Sequence, residues 1–320
     1  MRPSPGSTHV KDARELEQAY GVVVADAERL GDAELELLAA DAGQKLAEAS
    51  AEDILAWARL TFGDRLIVLA SMADGVVANL AGRVAPGVDV GFLDTGLHFV
   101  ETIGTRDAIA ATLPINVISA RPAVSLEQQE LELGSRLWER EPDRCCAIRK
   151  VEPLGRLLAP YRSWVTGLRR DESATRADTP VVAWDARRRK VKINPIARWS
   201  SADVELYAEE HGIIVNPLKQ IGYASIGCEP CTRPVAEGED CRHHPGGARN
   251  RQQGQCCRRV DYEEATDMPG GEQCGLDEDR APGVPTGAQG EQQRAPEVDF
   301  LRNAARDGAA DHILKYRVAE

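Results

Sequence analysis

Between Asp64 and about Pro217, short apolar runs of strand length alternate with stretches of helical spacing, and this alternation sets the architecture. The first run is Arg65-Leu66-Ile67-Val68-Leu69-Ala70, followed by the turn Ser71-Met72-Ala73-Asp74-Gly75 and a helix through Val76, Val77 and Leu80. Val88 to Leu93 is the second; it turns at Asp94-Thr95-Gly96 into a helix beginning near Leu97. Ile115 to Ser119, Trp164 to Leu168, Val181 to Trp184 and Val191 to Ile193 supply further strands. Ser200, with Asp203 three residues on, caps a helix running to about His211. Short buried-type strands separated by helices predict an α/β fold built on a doubly wound, mainly parallel sheet. Such sheets bind ligands beyond the carboxyl ends of their strands. The turns after Ala70, Leu93 and Val165 are therefore where a site is expected.

The flanks differ in character. Residues 1–62 read as a helical lead-in that packs on the core, with Ser50-Ala51-Glu52-Asp53 as a capping-box signature opening a helix through Ile54, Leu55, Trp57 and Leu60. Residues 63–240 form the α/β core. Residues 241–320 are dominated by Gly, Pro, Gln, Arg, Glu and Asp, and read as a flexible tail with a short terminal helix at Asp311-His312-Ile313-Leu314. No apolar run is long enough to cross a bilayer, and Met1 to Lys11 has no apolar segment of the secretory kind, so a cytoplasmic location is expected. A net charge of −12 disfavours nucleic acid and anionic membranes as partners. It leaves room for a small anionic substrate held by a local cluster of cations.

All eight cysteines lie after residue 144. In a reducing compartment clustered cysteines point to metal or redox chemistry before disulfides. Cys145-Cys146 together with Cys228-Glu229-Pro230-Cys231 offers four thiolates to a zinc ion or an iron–sulfur cluster. Adjacent cysteines direct two sulfurs poorly at one small ion, whereas separate iron corners of a cluster accept them; a zinc clip is the alternative. Arg144, Arg149 and Lys150 surround the pair with positive charge. The turn Ser71 to Gly75 suits a phosphate or sulfate at a helix N-terminus, or merely close packing. In Thr166-Gly167-Leu168-Arg169-Arg170-Asp171-Glu172-Ser173, Arg169 and Arg170 are placed to clamp an oxyanion, unless they pair only with Asp171 and Glu172.

These segments, with Phe92-Leu93-Asp94-Thr95-Gly96, Asn194-Pro195-Ile196-Ala197-Arg198-Trp199 and Ile226-Gly227-Cys228-Glu229-Pro230-Cys231-Thr232-Arg233, resemble the assimilatory adenylyl-sulfate (APS) reductases of the PP-loop superfamily. The likeness runs from about residue 60 to Asp240. It implies that Cys145, Cys146, Cys228 and Cys231 hold a 4Fe-4S cluster, and that Lys150 links it electrostatically to the substrate sulfate. It places Ser71 and Asp74 in a modified phosphate loop, Asp94 and Thr95 in the site, and Arg169 or Arg170 on the phosphosulfate. The implied reaction is reduction of APS to sulfite and AMP through an S-sulfocysteine, released by thioredoxin or a glutaredoxin-like reductant. A homo-oligomer is expected.

The likeness weakens toward the C-terminus. The family carries its nucleophile in a Glu-Cys-Gly-Leu-His motif, where this chain has Glu272-Gln273-Cys274-Gly275-Leu276-Asp277. Asp277 in place of His raises the thiol pKa and repels an anion. Cys274 is favoured by motif; Cys256, in Gln255-Cys256-Cys257-Arg258-Arg259, is favoured by spacing and by its arginines. Two other functions stand beside the reductase: an iron–sulfur nucleotide-binding homologue impaired in turnover, and a PP-loop ATP-dependent ligase. The second is disfavoured because Ser71 to Gly75 lacks the paired glycines an ATP loop uses.

Overall fold

The structure is a computed structural model that describes residues 9–234; Cys241, Cys256, Cys257 and Cys274 fall outside the described residues. Three helices lead in: α1 (Ala13–Tyr20), α2 (Asp32–Lys45) and α3 (Ala51–Phe62). Ser50 caps α3 by accepting from the Asp53 amide. Only half of the expected box forms, because the Asp53 carboxylate is drawn away. It is buried and accepts from Lys11 Nζ at 2.7 and 2.8 Å and from the Tyr20 hydroxyl at 2.6 Å. A buried carboxylate needs such partners, and these tie α1 to α3.

From there strands and helices alternate: β1 (Leu66–Leu69), α4 (Val76–Val84), β2 (Asp89–Leu93), α5 (Val100–Thr112) and β3 (Asn116–Ala120). A helical connection follows, made of α6 (Leu126–Leu133), α7 (Leu137–Arg140), α8 (Pro142–Cys146), one π turn (Ala147–Val151) and α9 (Glu152–Leu158). The remaining elements are β4 (Ser163–Val165), β5 (Val182–Asp185), β6 (Lys190–Ile193) and α10 (Ser201–Glu210). The sheet order is β3-β2-β1-β4-β6-β5, parallel except for the antiparallel edge strand β5. The order reverses between β1 and β4, where an open α/β sheet forms its ligand crevice.

The sheet is apolar on both faces, as buried parallel strands must be. Val68, Val90, Val165 and Ile193 face one core shared with α1 to α4, while Ile67 and Trp164 face a second under Leu154, Leu157 and Leu158 of α9. Among the described residues no helix is long and apolar enough to cross a membrane.

One glycine is required by packing. Gly43 sits inside α2, where glycine costs about 1 kcal/mol relative to alanine, yet a Cβ there would overlap the Val182 carbonyl oxygen of β5. Gly43→Ala is therefore expected to destabilise the chain by about 1–3 kcal/mol despite its better helix propensity. A denaturant midpoint equal to or above the parent's would contradict the close approach of α2 to the sheet.

Candidate active site

A cavity of about 1070 Å³ opens beyond the carboxyl ends of β1, β2 and β4. Its walls include Ser71, Asp74, Thr95, Lys150, Arg169, Cys228 and Cys231, which come from five separate segments of the chain.

The turn after β1 is held by a partner far along the sequence. Met72 is buried with a left-handed φ of 60°, a conformation rare for a residue with a side chain. The fully buried Asn216 supports it, donating from Nδ2 to the Met72 carbonyl at 3.2 Å while its backbone amide donates to the Ala73 carbonyl at 3.1 Å. Asp74 bridges to Val215 and accepts from the Val76 amide at the start of α4.

The turn after β2 divides its work between neighbouring residues. Asp94 is buried and faces Arg121 at 3.0 Å and Arg106 at 3.7 Å; it is not part of the cavity wall. Thr95 is. Its carbonyl accepts from Arg149 Nη1 at 3.0 Å, and its hydroxyl accepts from the Leu97 amide and lies 3.4 Å from the Cys228 sulfur. Leu97 does not begin a helix, contrary to the sequence reading: α5 starts at Val100. The residues before it pair with the Cys-x-x-Cys loop instead, through a bridge between His98 and Cys228 and a bond from the Glu229 amide to the Leu97 carbonyl at 2.7 Å.

After β4 the two arginines part company. Arg169 lines the cavity, held by Asp171 at 3.0 Å and by the Ser201 hydroxyl at 3.0 Å, with Glu172 at 3.8 Å. Arg170 turns away and donates from Nε to the Thr179 carbonyl at 2.9 Å, so it braces the loop. Arg176, also in the wall, pairs with Glu172. Sequence reasoning missed Arg176, since nothing in its local pattern separates it from a surface arginine. It also missed Lys192, which reads as an ordinary strand residue but is buried, stands over the Trp164 ring at 5.1 Å and lines the cavity.

The four expected cysteine ligands gather at one end. Cys145 and Cys228 are buried, Cys146 and Cys231 half-buried, and of the four only Cys228 and Cys231 reach the cavity wall. Burial, then the neighbouring thiols Cys146 and Cys228, pushes the Cys145 thiol up to about 11. Burial, then Cys228, pushes Cys231 up to about 12. Neither is a nucleophile in that state, because the thiolate is the reactive form. Among the described residues no three His, Cys, Asp or Glu side chains stand at the spacing of a single metal site.

The surroundings nevertheless suit an inorganic acceptor. Arg149 follows the cysteine pair in the π turn, is 2% exposed, and keeps Nε and Nη2 buried without a hydrogen-bond partner. Buried guanidinium nitrogens left unpaired are costly. Cys145 and Cys228 are the groups whose charge favours its protonated form, while burial lowers its pKa. With the Thr95 hydroxyl, these donors would meet sulfurs, as outer-shell donors do around a cluster. The donor set fits an iron–sulfur group better than bare thiols.

Three comparisons bear on this geometry. Residues 65–234, more than half of the chain, match the phosphoadenosine phosphosulfate reductase domain. The adenosine 5'-phosphosulfate reductase of Streptomyces coelicolor is 60% identical over 209 residues, spanning 65% of this chain and 89% of that protein. The enzyme of the same name from Rhodococcus opacus is 49% identical over 221 residues, 66% of this chain and 90% of that protein. In three dimensions the phosphoadenylyl-sulfate (PAPS) reductase of Candida auris, crystallised with phosphate, superposes with a TM-score of 0.54 at 27% identity, covering 62% of this chain and 97% of that one.

The division between Arg169 and Arg170 can be checked directly. Arg170→Ala orphans the Thr179 carbonyl and is expected to lower stability by about 1 kcal/mol, with ligand affinity in the cavity within twofold of the parent. An affinity loss exceeding the stability loss would return Arg170 to the cavity wall.

Proposed function

Because this chain belongs to the phosphoadenosine phosphosulfate reductase family, we propose that it reduces adenosine 5'-phosphosulfate (APS) to sulfite with release of AMP. The observation that carries the reading is a cavity beyond the strand ends whose wall holds Lys150 and Arg169 together with Cys228 and Cys231.

The reaction needs a soft, strong nucleophile, because the sulfate sulfur is crowded by oxygens and carries negative charge. A cysteine thiolate attacks that sulfur, the bond from sulfur to the bridging oxygen breaks, and AMP leaves with the electron pair. The products are a cysteine S-sulfonate and AMP. A dithiol reductant, thioredoxin or a glutaredoxin-like protein, then attacks the cysteine sulfur; sulfite departs, and the mixed disulfide is resolved by the reductant's second thiol. The attacking cysteine is Cys274, with Cys256 as its rival, both outside the described residues. The enzyme works in the cytoplasm, where such reductants are kept reduced.

Lys150 and Arg169 supply positive charge along the wall where the phosphosulfate lies, offsetting the repulsion between an anionic nucleophile and an anionic substrate. The turn Ser71 to Asp74 offers backbone amides ahead of α4, and Thr95 fixes the Cys-x-x-Cys loop beside them. Cys145, Cys146, Cys228 and Cys231 would hold a 4Fe-4S cluster, which would supply a fixed charge distribution near the substrate.

Anaerobically purified full-length protein given APS and a dithiol reductant should release equal amounts of sulfite and AMP. Without the reductant, one sulfonate should accumulate, mapping to Cys274. Sulfonation of Cys256 instead would move the nucleophile, and absence of sulfite and AMP would remove the reductase reading. Lys150→Ala should lower kcat/KM for APS by about tenfold or more, as loss of one preorganised charge does; an unchanged value would exclude its role on the sulfate.

A further inference from the structure

A lysine is buried on an interior strand of the sheet. Lys192 lies on β6 between Val191 and Ile193, which face the core shared with α1 to α4, so strand alternation turns it to the opposite face. There it stands in register with Trp164 of β4, is 8% exposed, and holds its ammonium 5.1 Å from the centre of the indole ring. Burying an ammonium is costly, and an aromatic face offsets only part of that cost. A leucine or methionine would fill the same space against Trp164 without it. The Arg188 guanidinium also stands over this ring, at 5.3 Å, but it pairs with Asp185 and is not part of the cavity wall, whereas Lys192 is.

The donors of the wall arrive from opposite sides of the strand ends. Arg169 is bonded to Ser201 at the start of α10, and the turn Ser71 to Gly75 leads into α4. Both helices pack on the first core, through Val204 and Tyr207 of α10 and Val76 and Leu80 of α4. Lys150 comes from the π turn that runs into α9, whose Leu154, Leu157 and Leu158 pack with Trp164 on the second face. Lys150 and Lys192 thus enter the cavity from one side, which is also the side of the cysteine pair preceding that turn. Arg169 and the turn after β1 enter from the other.

APS has two anionic groups joined through one oxygen, a phosphoryl group on the ribose and a terminal sulfonyl group. Donors on two sides of the strand ends suit such a ligand, with the turn amides and Arg169 for the phosphoryl group and the lysines for the sulfonyl group. We propose that Lys192 is a further substrate-binding residue, which holds the sulfonyl group of APS beside Lys150. This rests on the reading of the cavity as the APS site. When the bond from sulfur to the bridging oxygen breaks, AMP carries the phosphoryl group away. The three sulfonyl oxygens stay with the lysines, now on the cysteine S-sulfonate. Lys192 therefore acts on ligands that carry the sulfonyl group and is indifferent to AMP.

Equilibrium binding without reductant tests this in the full-length chain carrying Cys241→Ser, Cys256→Ser, Cys257→Ser and Cys274→Ser. That background lacks every thiol outside the four expected cluster ligands and so leaves APS intact. Dissociation constants for APS and AMP are measured in it, and again after adding Lys192→Met, which keeps the length of the side chain, or Lys192→Arg, which keeps its charge. The background should bind APS more tightly than AMP. Lys192→Met should shrink that preference by about tenfold, as loss of one charge-assisted hydrogen bond does, with AMP affinity within twofold; Lys192→Arg should retain most of it. A preference that Lys192→Met leaves unchanged overturns the assignment while the reductase reading stands. Equal losses for APS and AMP overturn it too, because they report a packing role against Trp164, and so does a background with no preference for APS. A background that binds neither nucleotide overturns it together with the reading of the cavity.

Discussion

Thr95 is the point on which the site depends. It is almost wholly buried at the end of β2, and it joins three parts of the chain that sequence keeps far apart. Its carbonyl takes the guanidinium of Arg149, 54 residues away, and its hydroxyl meets the sulfur of Cys228, 133 residues away. The cysteine pair therefore arrives behind the strand end on one side, and the Cys-x-x-Cys loop from the other. Gly96 turns the chain with a left-handed φ of 72°, which glycine adopts readily, and a Cβ there would stand at ordinary contact distance, 3.6 Å, from the Arg149 guanidinium. The end of an interior strand, a helix with one π turn and a late loop are fastened at a single residue.

The chemistry follows from how charge is distributed around that junction. Arg149 is spent inward on the thiols and on Thr95, while its neighbour Lys150 faces the cavity. Consecutive residues thus point two ways, Arg149 to the Thr95 carbonyl beside the thiols and Lys150 to the cavity wall. Burial raises the pKa of the Cys145 and Cys231 thiols, which makes them poor nucleophiles as free groups. A separate cysteine must do the attacking, and the proposed mechanism assigns that task to the C-terminal region.

Much of this was legible in the sequence, for identifiable reasons. Strands buried on both faces must be nearly continuous apolar runs, as β1 and β2 are, and each of the six strands overlaps an expected one, although β4 is Ser163–Val165 and does not reach Leu168, and β3 is largely unburied. The cysteine motifs and the turn residues were equally visible, because their spacing is local. What escaped depends on tertiary contact. Leu97 and His98 look like the start of a helix, but their backbone is taken by the Cys228 loop. Arg169 and Arg170 look equivalent, and only the packing of Thr179 and Ser201 separates them. The connection from α6 to α9, with its short helices and π turn, has too irregular a period to be read by spacing. Asn216 and Lys192 carry no motif at all.

The central claim is that four cysteines, two adjacent and two separated by a pair of residues, converge on one inorganic centre behind the Thr95 junction. Native mass spectrometry of anaerobically prepared full-length protein tests it most directly. The account predicts a mass excess equal to one 4Fe-4S core, lost in a single step when Cys228 is replaced by serine. A chain carrying one zinc ion, or one that is metal-free and still reduces APS, would contradict it.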